Sequence, residues 1–159
     1  MISVVIPTLN EAPNLPALLA ALRAQPMAVE IIVADGGSTD ATADVARDNG
    51  ADRVRDCPRG RGPQGAAGAA AARGGVVLIL HADSRFPAGG LIAIQHLLDA
   101  RPEVVGGNFR LVFDHPDAAW IERFYATIRA FGLFYGDSGV FIRRAVLESI
   151  GGVRPLALM

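Results

Sequence analysis

Three polar clusters concentrate the side chains that could do chemistry: Pro7-Thr-Leu-Asn-Glu11, Asp35-Gly-Gly-Ser-Thr-Asp40 and His81-Ala-Asp83. Each follows a short, β-branched apolar run. Each therefore falls at the carboxyl end of an expected strand, the edge at which open α/β sheets bind their ligands. Ionised carboxylates at such an edge accept hydrogen bonds. Taken singly, each cluster has a plainer reading, in which Pro7 ends a strand, Asp40 caps a helix and His81 is a packing residue. Their common edge favours a site.

The elements that must position these clusters alternate in the manner of βαβ units around a mostly parallel sheet. Ile2 to Ile6 and Val29 to Ala34 read as strands, with Leu15, Leu18, Leu19 and Leu22 at helical spacing between them. Asn14 is the expected cap of that helix, and Pro16 is tolerated in its first turn. Ser38, Thr39 and Asp40 offer caps for a second helix that Gly50 ends, and Arg53 to Asp56 reads as a short third strand. Pro58 to Gly65 is a loop by composition, running into a small-residue helix over Ala66 to Ala72. Val76 to Leu80 reads as a central strand covered on both faces.

Beyond it, Leu91 to Leu98 is helical, and Val104 to Phe113 is extended but interrupted by Gly106 and Gly107. Ala118 to Phe131 reads as a helix with Trp120, Phe124, Ile128 and Phe131 along one face, expected to be core or a dimer contact. Val140 to Arg143 is a final strand before a short helix that stops at Gly151 and Gly152.

Composition narrows the classes. The chain has 159 residues, 51% of them hydrophobic, with 15 basic and 16 acidic side chains, which excludes disorder and argues against nucleic-acid binding. A chain of this length buries roughly two thirds of its unfolded surface, so one domain supports a core without staples. The single cysteine, Cys57, rules out a disulfide framework or a multi-cysteine metal site. All basic residues are arginine. The N-terminus lacks a signal-peptide pattern, and no uncharged apolar run approaches the ~20 residues that span a bilayer. The expected location is cytoplasmic, with peripheral membrane contact and homodimerisation left open.

The runs Ser-Val-Val-Ile-Pro-Thr-Leu-Asn-Glu, Glu-Ile-Ile-Val-Ala-Asp-Gly-Gly-Ser-Thr-Asp and Val-Leu-Ile-Leu-His-Ala-Asp together resemble the opening of a family-2 glycosyltransferase. The likeness is closest to a short bacterial branch and extends through Tyr135-Gly-Asp-Ser-Gly and Phe141-Ile-Arg-Arg144. It implies a single Rossmann-like A-type nucleotide-sugar domain over 1–159, with a nucleotide-sugar part at 1–100 and an acceptor-side part at 101–159 that is incomplete at its C-terminus. In such enzymes Pro7, Thr8, Asn10, Glu11, Asp35 and Gly36 surround the base and ribose of a UDP- or GDP-sugar, and Asp35 is suited to accept from a uracil or guanine ring N–H.

Asp83 takes the last position of the family's D-x-D motif and would anchor Mg²⁺ or Mn²⁺. His81 replaces the first aspartate and, as the softer ligand, is expected to contact the donor rather than the metal. Arg59 and Arg61 are candidates for phosphate contact. Ala66 stands where relatives often carry asparagine, which removes one polar contact to the donor. Gly136 and Asp137 match the acceptor-side loop.

Inverting transfer requires a carboxylate base. The resemblance places that base beyond Met159, which reads as C-terminal truncation and leaves Asp137 as the candidate within the chain. Nucleotide-sugar binding with weak or absent transfer is the resulting expectation. Two alternatives stand beside it. One is a noncatalytic nucleotide-binding domain. The other is a dinucleotide-dependent oxidoreductase, suggested by the formal G-x-G-x-x-G of Gly60, Gly62 and Gly65, although no apolar strand runs directly into it.

Overall fold

The computed structural model describes residues 1–113, 118–130 and 138–156. Six strands form one sheet in the order β3-β2-β1-β4-β6-β5. Strands β1 (Ile2–Thr8), β2 (Val29–Asp35), β3 (Arg53–Asp56) and β4 (Val76–Ile79) run parallel, while β6 (Val140–Arg143) pairs antiparallel with both β4 and β5 (Gly106–Asn108). The expected mostly parallel α/β architecture is what forms.

Alternation along the strands divides the core between the two faces of the sheet. Val4, Ile6, Ile31, Val33 and Leu78 point to the face covered by α1 (Leu15–Arg23) and α4 (Gly90–Ala100). Val5, Ile32 and Val77 point to the other face, against α3 (Arg61–Ala71) and Leu147 of α6 (Arg144–Ser149). The leucines 15, 18, 19 and 22 of α1 are all buried, each worth about 1.5–3 kcal/mol against exposure. On the opposite face α3 lies close because it is small: a Cβ on Gly68 would stand 2.2 Å from Val5 Cγ1.

Several local expectations are corrected. Helix α3 begins at Arg61, within the stretch read as loop, because Pro63 occupies the first turn, where its missing N–H has no intrahelical partner to lose. Asn14 makes no side-chain cap and donates instead to Glu11 Oε2 at 2.7 Å. Helix α2 (Thr42–Asp48) starts after Ser38 to Asp40: Asp40 accepts from its first amide, that of Thr42, while Ser38 and Thr39 are drawn into contacts with Asn10. Strand β5 consists of the two glycines and Asn108: a Cβ on Gly106 would lie 2.5 Å from the carbonyl of Phe141, so the missing side chains permit the pairing. The aromatic face of α5 (Ala119–Ala130) is not core, for Trp120 is 69% exposed and Phe124 53%. Phe131 lies outside the described residues.

Candidate functional site

The loops after β1 and β2 are knitted into one surface. Asn10, the one described non-glycine residue with positive φ (57°), presents its side-chain oxygen to the Thr39 amide at 2.8 Å, while its own amide donates to Ser38 Oγ at 2.9 Å. The Glu11 amide donates to Thr42 Oγ1 at 2.8 Å. Asp40 accepts from the Thr42 amide at 3.0 Å and the Ala12 amide at 3.3 Å, and it also bonds the Thr42 hydroxyl. The Thr42 hydroxyl bond, joined by these amides, holds the Asp40 carboxyl below its usual range.

Asp35 is buried beneath that surface. Its carboxylate accepts from the Ser38 amide at 3.0 Å and from Thr8 Oγ1 at 3.3 Å, and also bonds the Ser38 hydroxyl. Cys57 donates its amide and thiol to the Asp35 carbonyl at 2.9 and 3.1 Å. Burial, then the nearby Asp35 and Asp56 charges, push that thiol's pKa up, so Cys57 is a structural donor rather than a nucleophile. The central tie is Gln64, which sequence reasoning missed. From the first turn of α3, its Nε2 donates to the carbonyls of Thr8 at 2.5 Å and Ala34 at 3.0 Å, and its Oε1 accepts from the Gly60 amide at 3.3 Å. Nothing in the pattern Gly-Pro-Gln-Gly distinguishes this glutamine from any loop residue.

These bonds define a cleft of about 540 Å³ at the carboxyl ends of β1 and β4. Of the nine residues expected to bind the donor, six line it: Pro7, Thr8, Glu11, Arg59, His81 and Asp83. Asn10, Asp35 and Gly36 are not in its lining. Their polar groups are committed to loop contacts, and a Cβ on Gly36 would meet Gln64 at 3.0 Å. They support the wall instead of forming it. Arg61 also lines the cleft, at the start of α3, where the helix dipole favours an anion.

A second cleft of similar size adjoins the first, and Arg61, His81 and Asp83 line both. Its floor carries Phe86 edge-on to Phe109, with ring centres 5.4 Å apart, and Phe109 in turn meets Phe141 at 6.3 Å. Arg85 and Arg110 stand on its walls. Gly136 and Asp137, expected on this side, lie outside the described residues. Glu148 is an exposed partner of Arg144 on α6, away from both clefts.

Asp83 is exposed at the junction. Among the described residues no group of three His, Cys, Asp or Glu side chains could hold a metal ion. A lone accessible carboxylate between arginines fits a hard cation whose other ligands come from a bound diphosphate, and does not fit an all-protein metal cage.

A six-stranded, mostly parallel α/β sheet with a polar cleft at its carboxyl edge is a fold that glycosyltransferases share, and comparison with known proteins gives the family. The chain belongs to glycosyl transferase family 2, whose model matches residues 3–149. It is 39% identical over 111 residues to an uncharacterized glycosyltransferase of Mycobacterium tuberculosis, a match covering 70% of this chain and 50% of that protein. The chain thus spans about half the length of the curated relatives it matches first.

Among solved structures, a mannosyltransferase from Pyrobaculum calidifontis in complex with GDP-Man and Mn²⁺ superposes with a TM-score of 0.71 at 25% identity, covering 95% of this chain and 46% of that one. Glucosyl-3-phosphoglycerate synthase from M. tuberculosis, in complex with Mn²⁺, UDP-Glc and phosphoglyceric acid, gives 0.72 at 24% identity over 94% of this chain and 58% of its own, a likeness of fold. Family membership sets the oxidoreductase reading aside. Gly62 and Gly65 lie inside α3 rather than in a phosphate-binding turn. Among the described residues no helix is long and apolar enough to cross a membrane.

Proposed function

We propose that the chain binds a nucleoside-diphosphate sugar, UDP- or GDP-linked, in the first cleft and an acceptor in the second, and that the full protein transfers the sugar with inversion. The observation that carries this reading is the junction, where Arg61, His81 and Asp83 belong to both clefts, as a group acting on a bond between donor and acceptor must. Residues 1–100 supply the donor side, and the acceptor side is shared between them and residues 101–159.

Pro7, Thr8 and Glu11 face the nucleoside, while Asn10, Asp35 and Gly36 position them. Arg59 and Arg61 pair with the diphosphate through charge-assisted hydrogen bonds. His81 contacts the donor, and Asp83 holds the divalent ion, Mg²⁺ or Mn²⁺. When bound, that ion neutralises charge on the departing diphosphate. The acceptor hydroxyl attacks the anomeric carbon opposite the diphosphate and surrenders its proton to a carboxylate. The lining carboxylates of the described residues, Glu11 and Asp83, serve the donor, and Asp137 is the candidate for this role within the chain.

The test is calorimetric titration with UDP and GDP, each with and without Mn²⁺, and with NADH as control. Binding of UDP or GDP that requires the metal is the expected result. Failure of both nucleotides to bind under any of these conditions, or tight metal-free NADH binding, would overturn the proposal. Metal-dependent binding without turnover, relieved by a longer C-terminus, would place the missing base outside this chain.

A further inference from the structure

The two parts of the proposed donor cleft come from different elements. Pro7, Thr8 and Glu11 stand at the end of β1 and just beyond it, whereas Arg59 and Arg61 flank Gly60 at the start of α3. A nucleoside diphosphate has a limited reach, so both parts serve one ligand only if the spacing between them is held. The Arg59 loop is pinned to the strand ends on both sides. On one side Cys57 donates its amide to the Asp35 carbonyl at 2.9 Å. On the other, Gln64 Oε1 accepts from the Gly60 amide at 3.3 Å, while its Nε2 donates to the carbonyls of Thr8 at 2.5 Å and Ala34 at 3.0 Å.

Gln64 borders the cleft but is 4% exposed, and its amide is committed. A glutamine side chain offers two N–H donors and two acceptor lone pairs, and here both donors and one lone pair go to backbone. Whatever it does for a ligand is therefore done through other residues. It lies one turn along α3 from Arg61, so its two carbonyl bonds also hold the turn that carries that guanidinium. Packing closes the arrangement: a Cβ on Gly36 would stand 3.0 Å from Gln64 Cδ and 3.3 Å from Arg59 Cα. The bare glycine lets both approach the end of β2.

The nucleoside part has supports of its own. Thr8 pairs with Asp35 in the β1–β2 register, and the Glu11 amide donates to Thr42 Oγ1 at 2.8 Å. Neither support passes through Gln64.

We infer that Gln64 is a positioning residue that sets the spacing between the nucleoside and diphosphate parts of the donor cleft. Its bonds to Thr8 and Ala34 fix the amide on the strand ends, and its bond to Gly60 carries that position to Arg59 and Arg61. Without it the nucleoside wall stays in place, and the two arginines leave the charge-assisted geometry that a diphosphate needs. The inference rests on the proposed donor reading and adds a residue that acts on it without touching the ligand.

The experiment measures, with Mn²⁺ present, the affinity of UDP and of uridine for the unaltered chain, Gln64→Leu, Gly36→Ala and Leu22→Ala, or of GDP and guanosine if that is the nucleotide bound. Leu22→Ala is the control for lost stability alone, since it opens a cavity under α1 on the face of the sheet opposite α3. Gln64→Leu is expected to weaken the diphosphate about tenfold and to leave the nucleoside within about twofold. Gly36→Ala, which crowds Gln64 and Arg59 without removing a bond, is expected to lower the same ratio severalfold. Leu22→Ala is expected to leave the ratio unchanged.

Equal weakening of nucleoside and diphosphate in Gln64→Leu, or no weakening of either, would overturn the inference. So would the same fall in the ratio for Leu22→Ala, because the loss would then follow stability. If Gln64→Leu does not fold, an unchanged ratio in Gly36→Ala overturns it. Binding of the diphosphate to the unaltered chain with any of these outcomes overturns this inference alone, whereas no binding to the unaltered chain overturns the donor reading with it.

Discussion

The two clefts share three residues yet are held in place by different means. The first is walled by backbone that other parts of the chain secure: Gln64 ties α3 to the ends of β1 and β2, Asn10 ties one loop to the next, and Asp35 anchors the turn at Ser38. The second is lined mostly by side chains of two irregular segments, 80–87 after β4 and 109–113 after β5, with Arg61 of α3 and with Ser138 and Gly139 ahead of β6. Shape is over-determined in one and lightly held in the other. On the proposed reading, such a division suits a domain that keeps one kind of donor and varies its acceptor, because wall residues like Arg85 or Val112 can change without disturbing the sheet.

The comparison breaks most readily at Gln64. Gln64→Leu removes both carbonyl ties at a buried position, and a loss of about 2–3 kcal/mol in urea unfolding is expected. A loss below half a kcal/mol would show that the first cleft is not secured as described. Gly68→Ala forces a methyl against Val5 and is expected to cost a net ~1–2 kcal/mol, overpacking being offset in part by alanine's better helix propensity. A neutral or stabilising result would mean that α3 stands farther from β1.

On the other side, Phe124→Ser is expected to leave stability within about 0.5 kcal/mol. A larger loss would mean that the aromatic face is covered after all.

The smallest effect concerns pH. The folded Asp40 carboxyl titrates below its ordinary value, so the bonds to Thr42 and Ala12 persist at and above that value and dissolve only as pH falls through the lower folded midpoint. The Thr42 and Ala12 amide resonances should titrate with that low midpoint, and Asp40→Asn should abolish the inflection. A midpoint above 3.8 would contradict the arrangement.

Much of this was legible in the residues. The strands and α1 declare themselves through β-branched runs and leucine spacing, because burial on a sheet imposes those periods whatever the function. Pro7, Glu11, His81 and Asp83 could be expected along one cleft because their strands end there.

Division of labour among the short polar residues was not legible. Asn10, Asp35 and Ser38 carry groups equally able to hold a ligand or bond another loop, and long-range geometry decides between them. Gln64 gave no signal for the same reason. Trp120 and Phe124 misled in the opposite direction: helical spacing of apolar residues marks a face but does not say what covers it.

The central claim is that Asp83 anchors a divalent ion against a nucleotide diphosphate at the junction of the clefts. UDP affinity of the unaltered chain and of Asp83→Asn, each measured with and without Mn²⁺, tests it most directly. The account expects Mn²⁺ to strengthen UDP binding in the unaltered chain and to do nothing measurable in Asp83→Asn. The same metal enhancement in both proteins would contradict it.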